Sequence, residues 1–184
     1  MDKEKRLIKE IKLKSSKAAA NELISIYYKE IYAYVYKQTI NKELSMDLTQ
    51  EIFISMLQSI NNYDGEKASF RTWLYKISTN RVVDYYRSKH YRYNSIAVTI
   101  DDYDIYDEED FTINIEYRED AQRIIDIVNK FDGITQQIFR LKIFGESTFL
   151  DISNIVQMPE STVKTKYYAT LKKIRKILKE AQYE

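Results

Sequence analysis

The sequence predicts an all-α protein made of two small helical domains, an N-terminal helical bundle and a C-terminal helix-turn-helix domain, joined by a flexible acidic linker. The chain has 184 residues but only three Gly and one Pro, which disfavours β-rich folds with many tight turns. Apolar residues recur at intervals of three and four in several stretches, as one face of a helix requires. Between these stretches, residues 101–120 hold ten acidic side chains and one basic side chain and follow no lasting period.

Three helices are predicted in the N-terminal part. Residues 18–37 form the first because apolar side chains recur there at intervals of four and three. Residues 42–61 form the second by the same criterion. The polar stretch 61–68, which contains Gly65, indicates a loop, and Ser69 is placed to cap a third helix that ends near residue 89. The apolar positions that carry the first pattern are Leu23, Tyr27, Ile31 and Tyr34.

Four helices are predicted in the C-terminal part. The first two cover residues 119–131 and 134–144, and Gly145 is the expected C-terminal stop of the second. A short helix over 148–156 precedes a longer one that starts at Pro159, a favoured first position. The predicted segments are a basic N-terminal segment (1–17), a first domain (18–89), an acidic linker (90–118) and a second domain (119–184).

Composition limits the function. The chain has no Cys and one His, His90, which leaves no disulfide, no thiol nucleophile and no evident set of metal ligands. We therefore expect no catalytic residue, no metal and no cofactor; an enzyme would have to use the acidic run 101–110, which is more typical of a solvated linker. The start of the chain mixes charges with apolar residues, unlike a signal peptide, and no apolar run reaches the ~18 residues of a membrane span. These features favour a cytoplasmic protein without membrane insertion.

Charge is separated along the chain although the net charge is only +1. Residues 1–17, 64–92 and 159–184 each carry seven basic and three acidic side chains. Local basic patches decide phosphate binding more than the total charge does. The distribution is therefore compatible with nucleic-acid binding.

The last two predicted helices have the layout of a helix-turn-helix. The second of them opens with short polar and basic side chains that can reach base edges in the major groove, and its unpaired N–H groups favour phosphate. An ordinary amphipathic helix that closes a bundle is the alternative interpretation. The candidate DNA-contacting residues are Ser161, Thr162, Lys164, Thr165, Lys166 and Tyr168.

Two features of the first domain suit a partner. Asp47, Gln50 and Glu51 should point outward together, opposite the apolar side of their helix, as a docking cluster or simply as a solvated acidic face. The third helix and the loop before it interleave basic and aromatic side chains, which suits single-stranded nucleic acid. Core packing is the alternative for Trp73, and a structural hydrogen bond is the alternative for Asn80. The candidate strand-contacting residues are Asn61, Tyr63, Asp64, Ser69, Phe70, Arg71, Trp73, Lys76, Asn80 and Arg87.

Taken in order, these motifs resemble a known family. Residues 47–53 (DLTQEIF) and 69–77 (SFRTWLYKI), followed by Asn80, Asp84 and Arg87, resemble region two of the extracytoplasmic-function sigma factors. Residues 152–155 (ISNI) and 159–166 (PESTVKTK) resemble region four of that family. The resemblance covers roughly residues 18–89 and 119–180.

The resemblance implies a sigma factor that binds core RNA polymerase and directs initiation at promoters. Asp47, Gln50 and Glu51 would dock on the clamp helices of the largest polymerase subunit, and the flap of the second subunit would be a further contact. The loop 61–68 and the helix after it would capture a flipped base of the minus-ten element, and the last helix would read the minus-thirty-five element as duplex. Many members are held inactive by an anti-sigma factor, which is another candidate partner.

Several residues of the last two helices depart from the family pattern: Gln157, Ser161, Lys166, Ala169 and Leu171. Gln157 stands in the turn where the family usually has Gly, and a left-handed conformation would cost a non-Gly residue ~1–2 kcal/mol. Lys166 stands where Arg is usual, and Lys cannot make the same planar fork.

The alternative function is a stand-alone helix-turn-helix regulator with a helical interaction domain, which would bind duplex DNA without polymerase.

Overall fold

The computed structural model describes residues 2–93 and 121–180. Within these ranges every long regular element is an α-helix, which confirms the predicted all-α class. The helices are α1 (Asp2–Lys14), α2 (Lys17–Thr39), α3 (Lys42–Ser59), α4 (Phe70–Tyr93), α5 (121–129), α6 (Gly133–Ile143), α7 (Phe149–Val156) and α8 (Glu160–Glu180), with a 3-10 turn at Ile60–Asn62. Helix α4 extends to Tyr93 and so includes residues 90–93, which were predicted to begin the linker (90–118); the rest of that linker lies outside the described residues.

The first half of the fold, α1–α4, contains a helix that the sequence analysis did not anticipate. Helix α1 packs on α2 through Leu7, Ile8 and Ile11, all of which are buried. Ser16 then caps α2 by accepting a hydrogen bond from the Ala19 N–H (3.3 Å). The basic segment at residues 1–17 is therefore part of the bundle and packs against its core.

Helices α2, α3 and α4 follow the predicted pattern closely. The turn between α2 and α3 places Ile40 in the left-handed region (φ 50°), a conformation that is strained for a β-branched residue. Asn41 then caps α3 by accepting from the Leu44 N–H (2.9 Å). As expected, Ser69 caps α4 by accepting from the Thr72 N–H (3.1 Å). The side chains that are less than 1% exposed in the centre of this bundle are Leu23, Ile31, Val35, Ile52, Met56, Leu74 and Val82.

In the second half, α5–α8, side-chain caps determine where α6 and α7 begin. Asp132 caps α6 by accepting from the Thr135 N–H (3.0 Å), and Thr148 and Asp151 form a capping box at the start of α7. Gly145 does follow α6 as predicted, but the positive φ lies at Glu146 (51°) and not at Gly145. None of the helices in residues 2–93 and 121–180 combines the length and apolar composition that a bilayer span requires.

The two halves pack directly on each other, α4 against α6 and α7. The Arg140 side chain of α6 is fully buried in this contact. Its guanidinium donates to Gln38 Oε1 in α2 (2.9 Å) and to Asn129 Oδ1 in α5 (2.5 Å), and lies 5.0 Å from the centre of the Tyr86 ring. Burial lowers the pKa of Arg140. We call these four residues the seam.

Candidate docking and nucleic-acid surfaces

The first candidate surface lies on α3 and is called the docking face: Asp47, Gln50 and Glu51. Asp47 and Gln50 are exposed, beside the apolar Ile54, which is 54% exposed. Glu51 is half-buried because it accepts a hydrogen bond from Arg81 Nε of α4 (2.6 Å). The docking face is therefore accessible at two of its three residues, while the third is held by an ion pair within the bundle.

The second candidate surface lies on α4. Ser69, Trp73, Lys76, Asn80 and Arg87 are spaced at three, four or seven residues and therefore share one side of the helix; we call this side the strand face. Ser69 and Arg87 are exposed, and the other three are half-buried. The helix thus presents an indole, an amide and two cations in line, which is a combination that can stack on bases and pair with phosphates.

The loop 61–68, called here the Tyr63 loop, adjoins the start of the strand face. The Tyr63 hydroxyl donates to the Ala68 carbonyl oxygen (3.1 Å), and its ring packs 5.2 Å from Trp73 and 5.4 Å from Phe70 between ring centres. Asp64 accepts from the Glu66 N–H (3.0 Å), and this hydrogen bond is the main reason that its pKa is lowered. The loop is therefore organised internally, with the Tyr63 ring at its centre and with Asn61 and Asp64 exposed.

Two of the candidate strand-contacting residues lie away from this surface. Phe70 is only 1% exposed and packs against Tyr27 and Trp73 in the core. Arg71 points toward α2, where it donates to Glu30 (2.6 Å) and lies over the Tyr75 ring at 4.6 Å. In this structure both residues support the bundle, and neither is part of the strand face.

The second half of the molecule covers part of the strand face. Gln137 of α6 donates from Nε2 to Asn80 Oδ1 at 3.0 Å. Arg87 Nη1 lies 3.9 Å from the position that a Cβ atom would take at Gly133, the first residue of α6. A nucleic-acid strand that donates a hydrogen bond to Asn80 Oδ1 would therefore compete with the Gln137 side chain.

Residues 157–159 form the turn between α7 and α8, so a short helix, a tight turn and a longer helix follow one another as predicted. Gln157 occupies the left-handed region (φ 55°, ψ 46°), as its place in the motif suggested. The Met158 N–H donates to the Ser153 carbonyl oxygen (3.2 Å), and the Ser153 hydroxyl donates back to the Met158 carbonyl oxygen (2.6 Å). Side-chain and backbone hydrogen bonds thus hold the turn without a Gly at position 157.

Helix α8 has one buried and one exposed face. Val163, Tyr167 and Ile174 pack inward, so the alternative of a bundle-closing helix describes only this side. The opposite side exposes four of the candidate DNA-contacting residues, which we call the recognition face; Thr162 and Lys166 are half-buried beside it. The residues of the recognition face are Ser161, Lys164, Thr165 and Tyr168.

Electrostatic contacts pre-position part of the recognition face. Lys164 pairs with Glu160 one turn earlier (2.6 Å) and lies 5.7 Å from the Phe149 ring centre. The Thr165 hydroxyl donates to the Ser161 carbonyl oxygen (2.9 Å). Further along α8, Lys172, Lys173 and Arg175 are exposed cations that can attract phosphate. In the described ranges, no three His, Cys, Asp or Glu side chains converge as a metal site.

Sequence comparison finds similar proteins along nearly the whole chain. The family described as Sigma-70 region 2 matches residues 23–91, which include the docking face, the Tyr63 loop and the strand face but not α1. The ECF RNA polymerase sigma factor SigW of Bacillus subtilis (strain 168) is 27% identical, over 96% of this chain and 97% of the relative. The RNA polymerase sigma-H factor of Pseudomonas aeruginosa is 23% identical, over 96% of this chain and 94% of the relative.

Solved structures share the fold. CnrH, in complex with the cytosolic domain of CnrY, is 14% identical and superposes with a TM-score of 0.62 over 97% of this chain and 99% of that one. The sigma factor RpoE of Bartonella quintana, in complex with the anti-sigma factor NepR, is 14% identical with a TM-score of 0.58 over 86% of this chain and 96% of that one. At this level of identity, the likeness shows a common fold.

Proposed function

The chain is an extracytoplasmic-function sigma factor of the sigma-70 family, and on that premise we propose that it binds core RNA polymerase in the cytoplasm and directs it to specific promoters. In this proposal the polymerase supplies all of the chemistry, and the chain supplies recognition. The observation that carries the proposal is the separation of three surfaces, the docking face, the strand face with its loop, and the recognition face, on three different helices. Each surface would then engage its own partner, with Asn80 of the strand face joining once its bond to Gln137 has been exchanged.

The docking face would hold the polymerase. Asp47 and Gln50 offer acceptors beside the exposed apolar side chain of Ile54, so a basic helix with an apolar edge would complement them. In the family pattern, the partner of this face is the pair of clamp helices in the largest polymerase subunit. Glu51 would join the contact while it keeps Arg81 in place.

The Tyr63 loop and the strand face would open the minus-ten element. A base can be read on its pairing edge only after it leaves the stack, and unstacking costs a few kcal/mol. Exposed groups of the loop, such as Asp64, can bond the extruded base, while Trp73 can stack and Lys76 can pair with the backbone. Asn80 would take part once its bond to Gln137 has been exchanged.

The recognition face would read the minus-thirty-five element in duplex DNA. Lys164 and Thr165 lie in the first two turns of α8, the part of a recognition helix that reaches base edges. The more distant cation Lys173 would contribute attraction without sequence preference. The first half of the molecule would then bind the minus-ten element, and the second half would bind the minus-thirty-five element of the same promoter.

Run-off transcription tests the proposal, with core polymerase and a genomic promoter library in the presence and absence of the chain. We expect specific transcripts only when the chain is added. Asp47→Lys should abolish polymerase binding because it places a cation against a basic partner, whereas the charge-matched control Asp126→Lys on α5 should bind normally. Unchanged binding of Asp47→Lys would contradict the docking face.

The recognition face has its own matched pair. Lys164→Ala should weaken promoter-directed transcription, change the preference at the minus-thirty-five element and leave polymerase binding intact. Lys173→Ala should weaken binding to all sequences alike and reduce the salt dependence by about one phosphate contact. Equal effects of the two variants on sequence preference would contradict the assignment of Lys164 to base reading.

The sigma-factor relatives do not favour the alternative function, a stand-alone helix-turn-helix regulator. Its exposed recognition face would suffice for duplex binding, but it would leave the docking face without a role. Binding of purified chain to core polymerase distinguishes the two functions, since a stand-alone regulator would not bind.

An anti-sigma factor is a further proposed partner. The support for it is that the neighbour RpoE was solved in complex with one.

A further inference from the structure

Helix α1 reaches the Tyr63 loop although it precedes the part of the chain that matches Sigma-70 region 2 (23–91). It is anchored on α2 by Leu7, Ile8 and Ile11. A second anchor is the Tyr27 hydroxyl, which donates to the carboxylate of Glu4. The helix is therefore anchored on α2 from Glu4 to Ile11, and it also contacts the 3-10 turn that leads into the loop.

Lys12 of α1 contacts the loop through Tyr63. Its ammonium group donates to the Tyr63 carbonyl oxygen at 2.6 Å and lies 5.6 Å from the centre of the Tyr63 ring. Hydrogen bonds from a charged donor are among the stronger ones in proteins. The side chain is half-buried, so this bond is partly shielded from water.

Tyr63 transmits this contact to the rest of the loop. Its N–H donates to the Ile60 carbonyl oxygen (3.1 Å) and its hydroxyl donates to the Ala68 carbonyl oxygen (3.1 Å), so one residue ties both ends of the loop together. Gly65 lies under the ring, where a Cβ atom would be 3.3 Å from the Tyr63 hydroxyl. A displacement of Tyr63 would therefore move Asp64 and its neighbours with it.

The Tyr63 ring also connects the loop to the strand face. It packs against Trp73 and Phe70, and Phe70 is anchored in the core. A series of contacts thus leads from Lys12 to Tyr63 and from Tyr63 to Trp73, the side chain on which a base could stack. No part of Lys12 has to touch nucleic acid for this effect.

We infer that Lys12 is a positioning residue for the capture of an extruded promoter base, because it fixes Tyr63 and thereby the loop beside Trp73. The inference rests on the proposed role of the Tyr63 loop in opening the minus-ten element. It assigns to the N-terminal helix a part in strand selectivity. The assignment depends on the geometry between α1 and the loop and requires no new partner.

The experiment uses the holoenzyme formed with core polymerase and short single-stranded DNA that the wild-type holoenzyme selects from a random pool. Lys12→Met removes the donor and keeps the length of the side chain. We expect the affinity for the selected strand to fall about tenfold, the effect of losing one charge-assisted hydrogen bond, and the preference for the captured base over the other three to flatten. Polymerase binding should be unchanged.

Matched variants separate positioning from general effects. Lys14→Met removes the same charge from an exposed site on the same helix and should behave as wild type. Lys12→Arg keeps a charged donor and should restore most of the base preference. Wild-type affinity and base preference in Lys12→Met, or an equal loss in Lys14→Met, would overturn the inference.

A loop variant distinguishes this result from a failure of the proposed function. Asp64→Ala should lower the affinity for the selected strand if the loop captures a base at all. If Asp64→Ala is defective while Lys12→Met is normal, the loop binds the strand but Lys12 does not position it, and the inference is wrong. If wild-type holoenzyme selects no sequence from the pool, the proposed function is wrong, and the inference is refuted with it.

Discussion

Gly145 lies where the end of α6 meets α4, and we expect its replacement by Ala to destabilise the chain. A Cβ atom at this position would lie 2.9 Å from the Leu141 carbonyl oxygen and 3.0 Å from Tyr75 Cε1. Carbon atoms do not approach these groups so closely without displacement. Since φ at Gly145 is not positive, the close approach and not the backbone conformation is what requires Gly.

Neither neighbour of Gly145 is free to move. The Leu141 carbonyl is main chain and accepts from the Ser147 N–H (3.0 Å). Tyr75 is 4% exposed, donates from its hydroxyl to Glu30 (3.0 Å) and packs 4.9 Å from the Tyr34 ring centre. Overpacking at such a site costs about 1–3 kcal/mol, so we expect Gly145→Ala to lower the free energy of unfolding by about 2 kcal/mol.

Urea denaturation followed by circular dichroism measures this change. With a slope of about 2 kcal/mol per molar urea, the midpoint should fall by about 1 M. Gly133→Ala at the other end of α6 is the control: a Cβ there would lie 3.9 Å from Arg87 Nη1, an ordinary contact, and Ala should be neutral or stabilising by about 0.4–1 kcal/mol. A midpoint for Gly145→Ala at or above that of the wild type would refute the reasoning.

Three further outcomes follow from the structure. Arg140→Met should lower the free energy of unfolding by about 1–3 kcal/mol, because it leaves the buried amide oxygen of Gln38 and the half-buried amide oxygen of Asn129 without their donor; chemical denaturation measures it. Burial raises the pKa of Tyr34 from 10.0 to about 12. As the pH rises, the phenol of the unfolded chain therefore loses its proton before the buried phenol of the folded chain does, and this favours unfolding. The free energy of unfolding should accordingly decline by about 3 kcal/mol between pH 10 and pH 12. Thr148→Ala should cost about 1 kcal/mol by removing the cap of α7, which should lower the melting temperature by about 2–4 °C.

Each of these outcomes has its own control. Arg175→Met removes an exposed cation and should leave stability nearly unchanged; an equal loss would show that burial of Arg140 is not the cause. Tyr34→Phe removes the buried phenol and should make alkaline unfolding shallower between pH 10 and 12; an identical profile would contradict the role of Tyr34. Thr148→Ser keeps a capping hydroxyl and should retain most of the stability that Thr148→Ala loses.

Helices with a wide apolar stripe could be predicted well from the sequence. Helix α2 was expected over residues 18–37 and observed over Lys17–Thr39, and the cap at Ser69 was anticipated correctly. Local patterns are sufficient here because each buried face and each cap is determined by residues within one or two turns. Helix α1 was missed because charges outnumber its apolar residues, although the spacing of Leu7, Ile8 and Ile11 contains the signal.

Contacts between distant parts of the chain could not be predicted. Arginine is charged and is usually exposed, so the sequence gives no sign that Arg140 is buried. Its burial depends on a hydrogen bond to Gln38, 102 positions earlier. The same limit applies to the candidate site: Arg71 was expected beside the bound strand, but it faces Glu30 of α2. At Gly145 the sequence indicated the end of a helix correctly but for the wrong reason, because the crowding comes from Tyr75 of another helix.

The seam determines how easily the two halves can come apart. Among the residues that the structure describes, the partners of the Arg140 guanidinium are two neutral amides and an aromatic ring, and none of these is a carboxylate. When the halves separate, water can solvate all of these groups. Hydration of the freed guanidinium then offsets part of the free energy lost with its hydrogen bonds, so the seam sets the relative position of the two halves more than it opposes their separation.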